Sequence, residues 1–176
     1  ALLFVSGELD CEQGGPHPFV PWHKKGYSLN RPFHEDFPTK KRSVYLMTQR
    51  LYKHPFLGRF NGPETNETSG TRDSSHLPTQ ALYLMNAPLL PELAEAFGKR
   101  IQQSAGTEEK QIIQAYQLAF SRNPTAVELS EAAQFLEYYR EELKTEQPDE
   151  DTDAGQNAWT GFAKVLLTSN EFFFVD

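Results

Sequence analysis

Cysteine is nearly absent from this 176-residue sequence, Cys11 being the single example. One thiol excludes an internal disulfide framework and a CxxCH haem attachment, and it weakens any thiolate metal centre. Cys11 is therefore expected as a small buried hydrophobe. Long apolar runs are missing too. The opening ALLFVSGEL is far shorter than the ~18 residues a membrane span requires, and it does not make a signal peptide. Positive charge is in deficit: 17 Lys and Arg face 24 Asp and Glu, a net charge of −7, against the basic excess of a generic nucleic-acid binder. No G-x-S-x-G elbow, HExxH helix or glycine-rich phosphate cradle occurs, and Gly14–Gly15 alone is too little for one. These absences leave no catalytic residue to name and no cofactor to expect.

Hydrophobic residues make up 38% of the chain, enough for one globular domain, residues 1–176, with its own core. Charge is unevenly spread. Residues 1–63 hold nine Lys and Arg against five Asp and Glu (net +4), and residues 64–176 hold eight against nineteen (net −11). The split implies mutual attraction of the two halves, or else a basic, anion-binding face on the first.

Periodicity divides the chain into an irregular, loop-rich part (1–77) and a helical part (78–176). Residues 1–9 read as the end of a helix, which, with no initial Met, suggests the C-terminal portion of a larger protein. Residues 10–41, with GGPHPFVPWHKKG and NRPFHEDFP, form a long Pro-rich loop that Phe19, Trp22, Tyr27, Phe33 and Phe37 can pack down. SVYLM (43–47) is β-prone and predicts one short extended segment, and HPFLGRF predicts a helical turn. About five amphipathic helices follow: 78–86, 88–103, one capped by Thr107, one opened by the Thr125/Glu128 capping box, and one through Trp159, Phe162, Leu166 and Leu167. The fold class is mainly α, an irregular bundle.

Three constellations are candidates for chemistry. At HLPTQALYLMN, Pro78 suits the first helical position, which leaves Leu77 as a cap without a side-chain acceptor. Gln80 can reach back to the Leu77 amide and Arg72 can hold the incoming turn, making a clasp that starts the helix and docks the two halves. Alternatively Arg72, His76 and Gln80 form a ligand site. The stretch KKRSVYLMTQRLYKHPFLGRF interleaves cations with rings. Its Lys40, Lys41, Arg50 and Lys53 either bind an anionic polysaccharide by charge and stacking or meet the acids of the second half. Asp149, Asp151, Asp153 and Asn157 occupy positions 1, 3, 5 and 9 of a calcium loop. However, Ala154 replaces the turn glycine and Thr160 the bidentate Glu, so a solvated connector is the simpler reading. His17, His23, His34, His54 and His76 show no metal-ligand spacing. Glu141 and Glu142 point to different sides of a helix.

The ordered motifs ALLFVSGELD…GGP, RSVYL, FNGPE, TRDSSHLPTQALYLMN, SRNPTAVE and SNEFFFVD resemble a planctomycete domain of unknown function, the PSD-type family, over essentially the whole chain. Asn61, Ser121 and His76 stand where that pattern usually has Asp, Gly and a small residue or Thr. The resemblance implies an extracytoplasmic (periplasmic or secreted) setting, with upstream domains of the same protein as partners and a link to electron transfer or polysaccharide use. It supplies no activity. The sequence thus supports a non-catalytic structural or binding module closing a secreted multidomain protein. The alternative is part of an enzyme acting on polysaccharide whose active site needs upstream residues.

Overall fold

The computed structural model describes residues 1–15, 39–46, 53–62, 70, 78–104, 106–146 and 154–173. Its elements are α1 (Leu2–Ser6), a 3-10 turn (Ser43–Tyr45), α2 (Pro55–Arg59), α3 (Pro78–Asn86), α4 (Leu89–Gln102), α5 (Glu108–Phe120), α6 (Ala126–Glu146), α7 (Ala154–Thr168) and α8 (Asn170–Phe173). The chain is mainly α, with no strand among the described residues, and none of its described helices is long and apolar enough to cross a membrane.

Two compact units are present, residues 1–8 with 84–176, and residues 9–83. The expected division at 77/78 therefore moves to 83/84. The cause is local: the first turns of α3 contact α2, through Gln80 to the Arg59 carbonyl and through Tyr83 to the Phe60 ring.

In the first unit α7 is the hub, packing on α4, α5, α6 and α8. On α4 the buried Leu90, Leu93, Ala94, Phe97, Gly98 and Ile101 recur at helical spacing. Of these, Leu90, Ala94, Phe97 and Ile101 share one core with Ala158, Trp159, Phe162, Ala163, Leu166 and Leu167 of α7. Gly98 sets the closeness of the crossing, because a Cβ there would lie 3.0 Å from Thr160 N and from the Trp159 carbonyl carbon. Pro91 is tolerated in the first turn of α4, where backbone N–H groups lack intrahelical partners anyway.

Helix ends are satisfied in ways that local patterning does not predict. Gly7 closes α1 in the left-handed conformation (φ 84°). Arg100 of α4 then donates through Nη1 to the carbonyls of Phe4 and Val5, at 2.9 and 2.7 Å. At the end of α4, Gln111 of α5 donates to the Gln102 and Ser104 carbonyls. Thr107 precedes α5 as expected but makes no side-chain cap bond. Glu141 and Glu142 are both exposed on α6.

In the second unit the expected extended segment at 43–47 is instead the 3-10 turn Ser43–Tyr45, with Met47 outside the described residues. β-propensity needs a neighbouring strand to express itself. Among the described residues one bridge is present, joining Asp10 to Lys41, and Tyr45 lays its ring on Gly14, where a Cβ would come within 2.5 Å of Cδ1. HPFLGRF does form one helical turn, α2. Cys11 is exposed rather than buried, lying between Asp10 and Glu12, the two acids that pair with Lys41.

Candidate functional site

Of the residues named for the clasp or ligand site, Gln80 is the one among the described residues. Gln80 is buried, with its Nε2 donating to the Arg59 carbonyl at 2.8 Å. Its amide nitrogen thus ties the start of α3 to the end of α2. Leu77, Arg72 and His76 lie outside the described residues. The Arg59 guanidinium lies over the Tyr83 ring, 4.9 Å from its centroid, and donates through Nη1 to the Pro55 carbonyl at 3.2 Å. Phe60 meets Tyr83 edge-on and packs against Phe56 with ring centroids 4.7 Å apart.

Of the candidate anion-binding cations, Lys41 is engaged within its own unit. Its Nζ is 2.8 Å from Asp10 Oδ2 and 3.7 Å from Glu12 Oε2. The bond to Asp10 holds the Lys41 ammonium above the usual lysine range, and the bond from Lys41 holds the Asp10 carboxyl below its usual range. The expectation that this lysine meets acids of the second half is therefore corrected, since its acidic partners are Asp10 and Glu12. Lys40 is exposed, Lys53 is half-buried beside α2, and Arg50 lies outside the described residues.

Asp149, Asp151 and Asp153 also lie outside the described residues, whereas Asn157 is half-buried in α7. Because α7 begins at Ala154, positions 6 to 12 of the calcium pattern are helical. A loop carbonyl at position 7 would have to leave the helical ladder to reach an ion. Among the described residues no group of His, Cys, Asp and Glu is placed to hold a metal. Of the histidines, His54 precedes α2 with a buried Nδ1 that has no hydrogen-bond partner, while His17, His23 and His34 are outside the described residues.

The densest polar constellation was only half legible. Thr125 and Glu128 form the expected capping box: Thr125 N donates to Glu128 Oε2 at 2.7 Å, and Glu128 N to Thr125 Oγ1 at 3.3 Å. Between these carboxylate oxygens and those of α8 sits Arg122. Its Nε and Nη2 donate to Glu171 at 2.6 and 2.8 Å, its Nη2 and Nη1 to Glu128 at 2.6 and 2.9 Å, and its Nη1 to the Asn123 carbonyl at 3.1 Å. All five N–H donors of the guanidinium are thereby used. Its carbon lies 5.5 Å from the Tyr116 ring centroid and 5.7 Å from that of Phe120, so aromatic faces back it.

The charges respond accordingly. Hydrogen bonds from Arg122, then from the Thr125 amide, hold the Glu128 carboxyl down at about 2. The Arg122 bond also lowers Glu171, and both carboxylates raise Arg122. Burial, then the Glu128 charge, raises the Tyr116 phenol. One guanidinium thus joins the end of α5, the cap of α6 and the short α8. The sequence signal was the SRNPTAVE motif, but Glu171, 49 residues further on, carried no local sign of its partnership.

Fold and site together define an all-α module built around an internally paired charge cluster. The chain belongs to the PSD1 family, proteins of unknown function (DUF1553), whose family model matches residues 1–136. The match includes Arg122 and Glu128 and stops short of Glu171. No curated protein and no solved structure matches the chain.

Proposed function

We propose that this chain is a non-catalytic structural or binding module of an extracytoplasmic multidomain protein, working beside other domains of the same polypeptide and contacting anionic polysaccharide. The observation that carries this reading is the closure of Arg122. A cation that stabilises developing charge needs donors aimed at the reacting atoms, and every N–H of Arg122 is already spent on Glu128, Glu171 and Asn123. The two carboxylates are held ionised by the same guanidinium, so neither is poised to give up a proton near neutral pH. A saturated network of this kind fixes helices relative to one another, which is what a scaffold or binding module requires.

The test is incubation of the 176-residue chain with polygalacturonate, dextran sulfate and neutral dextran, followed by assay for new reducing ends. No release is expected from any polymer. Release by the chain that disappears in a folded Arg122→Met variant would overturn the reading and favour an enzyme.

A further inference from the structure

Asparagine occurs seven times in the sequence, and glycine follows it once, at Asn61–Gly62. Asparagine is thermally labile, and most so before glycine. With no Cβ on the following residue, nothing hinders attack of its backbone nitrogen on the asparagine side-chain amide. That nitrogen must first lose its proton and approach Cγ, so the fold around Gly62 decides whether the reaction runs.

Both residues lie in the cap of α2. Phe60 ends the helix, and its N–H donates to the Phe56 carbonyl at 3.1 Å. Asn61 follows in the left-handed region (φ 50°), which asparagine tolerates better than most residues with a side chain. Gly62 then turns its N–H back to the Leu57 carbonyl, at 2.6 Å. This is the long bond of a Schellman cap, with asparagine in the position that glycine usually holds. Gly62 is buried, and a Cβ on it would lie 2.7 Å from Leu57 Cβ and 2.8 Å from Leu57 O. The proton that has to leave is therefore bonded to a carbonyl and shielded from solvent bases. The same turn is joined to α3, because the buried Gln80 donates to the Arg59 carbonyl just ahead of it.

We infer that Asn61–Gly62 is a self-modification site gated by the α2 cap, converting Asn61 to aspartate and isoaspartate in molecules whose cap has opened. On opening, a solvent base takes the Gly62 N–H proton. The nitrogen bonds to Asn61 Cγ, the Cγ–Nδ2 bond breaks, and Nδ2 leaves as ammonia with a proton returned to it. Water then opens the succinimide ring. Cleavage at Cγ gives aspartate, and cleavage at the main-chain carbonyl carbon gives isoaspartate. The net change consumes one water and releases one ammonia, with no oxidation or reduction.

The two products differ in what they do to the cap. Aspartate leaves the main chain intact and tolerates the left-handed region, so the cap re-forms. Isoaspartate routes the main chain through Cβ and Cγ, which moves the Gly62 N–H out of register with the Leu57 carbonyl. An opened cap is thereby made permanent, and the tie from Arg59 to α3 loses its fixed end.

The experiment ages the full chain in mildly alkaline buffer, folded and in denaturing guanidinium, and follows it by peptide mapping. Mass fragmentation assigns the converted residue, and chromatography separates aspartyl from isoaspartyl peptides. In denaturant Asn61 is expected to convert before any other asparagine. In the folded chain its conversion should be at least about tenfold slower, because it proceeds through the small open population. Gln80→Ala, which unties α3 from the Arg59 carbonyl, should raise the folded rate by about threefold. The wild-type comparison needs no variant and stands where Gln80→Ala does not fold. Asn61→Gly, which puts the usual residue in the cap, should show no conversion at this position. Tryptic cleavage after Arg59 should be about tenfold faster in the purified isoaspartyl chain than in wild type, whereas Asn61→Asp should be cleaved like wild type.

Equal rates in the folded and unfolded chains would overturn the gating, as would a folded Gln80→Ala chain that converts at the wild-type rate. Another asparagine converting first in denaturant would overturn the site. An isoaspartyl chain cleaved no faster than wild type would overturn the loss of the cap.

Discussion

Replacing Arg122 by Met keeps an apolar stem and removes the guanidinium that lies over Tyr116 and Phe120 and joins three helices. Two double-ended pairs are lost, to Glu128 and to Glu171, with side chains 28% and 46% exposed. Pairs this open are each worth about 0.5–1 kcal/mol after solvent screening. The two carboxylates are then left facing one another without a counter-charge, which adds about 0.5 kcal/mol of repulsion. The expected loss is about 2 kcal/mol, or roughly 4–8 °C in Tm for a chain of this length. The effect has a pH signature. Glu128 ionises at about 2 in the folded chain against an ordinary 4.5, a lowered value. Its contribution is therefore complete above 4.5 and lost as pH falls toward 2. Thermal unfolding of both proteins between neutral pH and about pH 2 should show the gap closing through that window. A neutral-pH difference under about 0.3 kcal/mol, or one that does not shrink on acidification, would refute the reasoning.

Gly98→Ala should destabilise by about 1–3 kcal/mol, read by denaturant unfolding, because its Cβ would press on α7 backbone that can yield only by moving the helix. Ser121 ends α5 at φ 59°, so Ser121→Gly should stabilise by about 0.5–1 kcal/mol in the same assay. Gln80→Ala should cost about 1 kcal/mol through the unpaired Arg59 carbonyl. Millimolar calcium should leave Tm unchanged, since α7 takes up the second half of the loop pattern; a ligand at 100 times its Kd would add about 2.7 kcal/mol.

The helices from 78 onward were legible because their apolar residues repeat at 3.6 and their ends carry readable punctuation. Pro78 opens α3, and Thr125/Glu128 cap α6 by the geometry that their spacing implies. What escaped was non-local. Arg100 caps α1 from 95 residues away, and Glu171 meets Arg122 across 49. Long side chains reach acceptors that only the folded packing brings near, and no window of sequence contains both. SVYLM misled for a related reason, since a β-prone run forms a strand only with a neighbour to pair with. Gln80 was expected to reach back to the Leu77 amide, within its own turn; in the fold its nitrogen donates to the Arg59 carbonyl of α2, 21 residues away.

The central claim is that Arg122 is spent on the fold. Side-chain ¹H–¹⁵N spectra of the arginine Nε–H groups test it most directly, recorded before and after titration with polygalacturonate and dextran sulfate. The account predicts a slowly exchanging Arg122 Nε–H signal that polymer does not move, assigned by its loss in Arg122→Met. A signal that exchanges rapidly with water in the free chain, or shifts with polymer as a ligand-binding cation would, contradicts it.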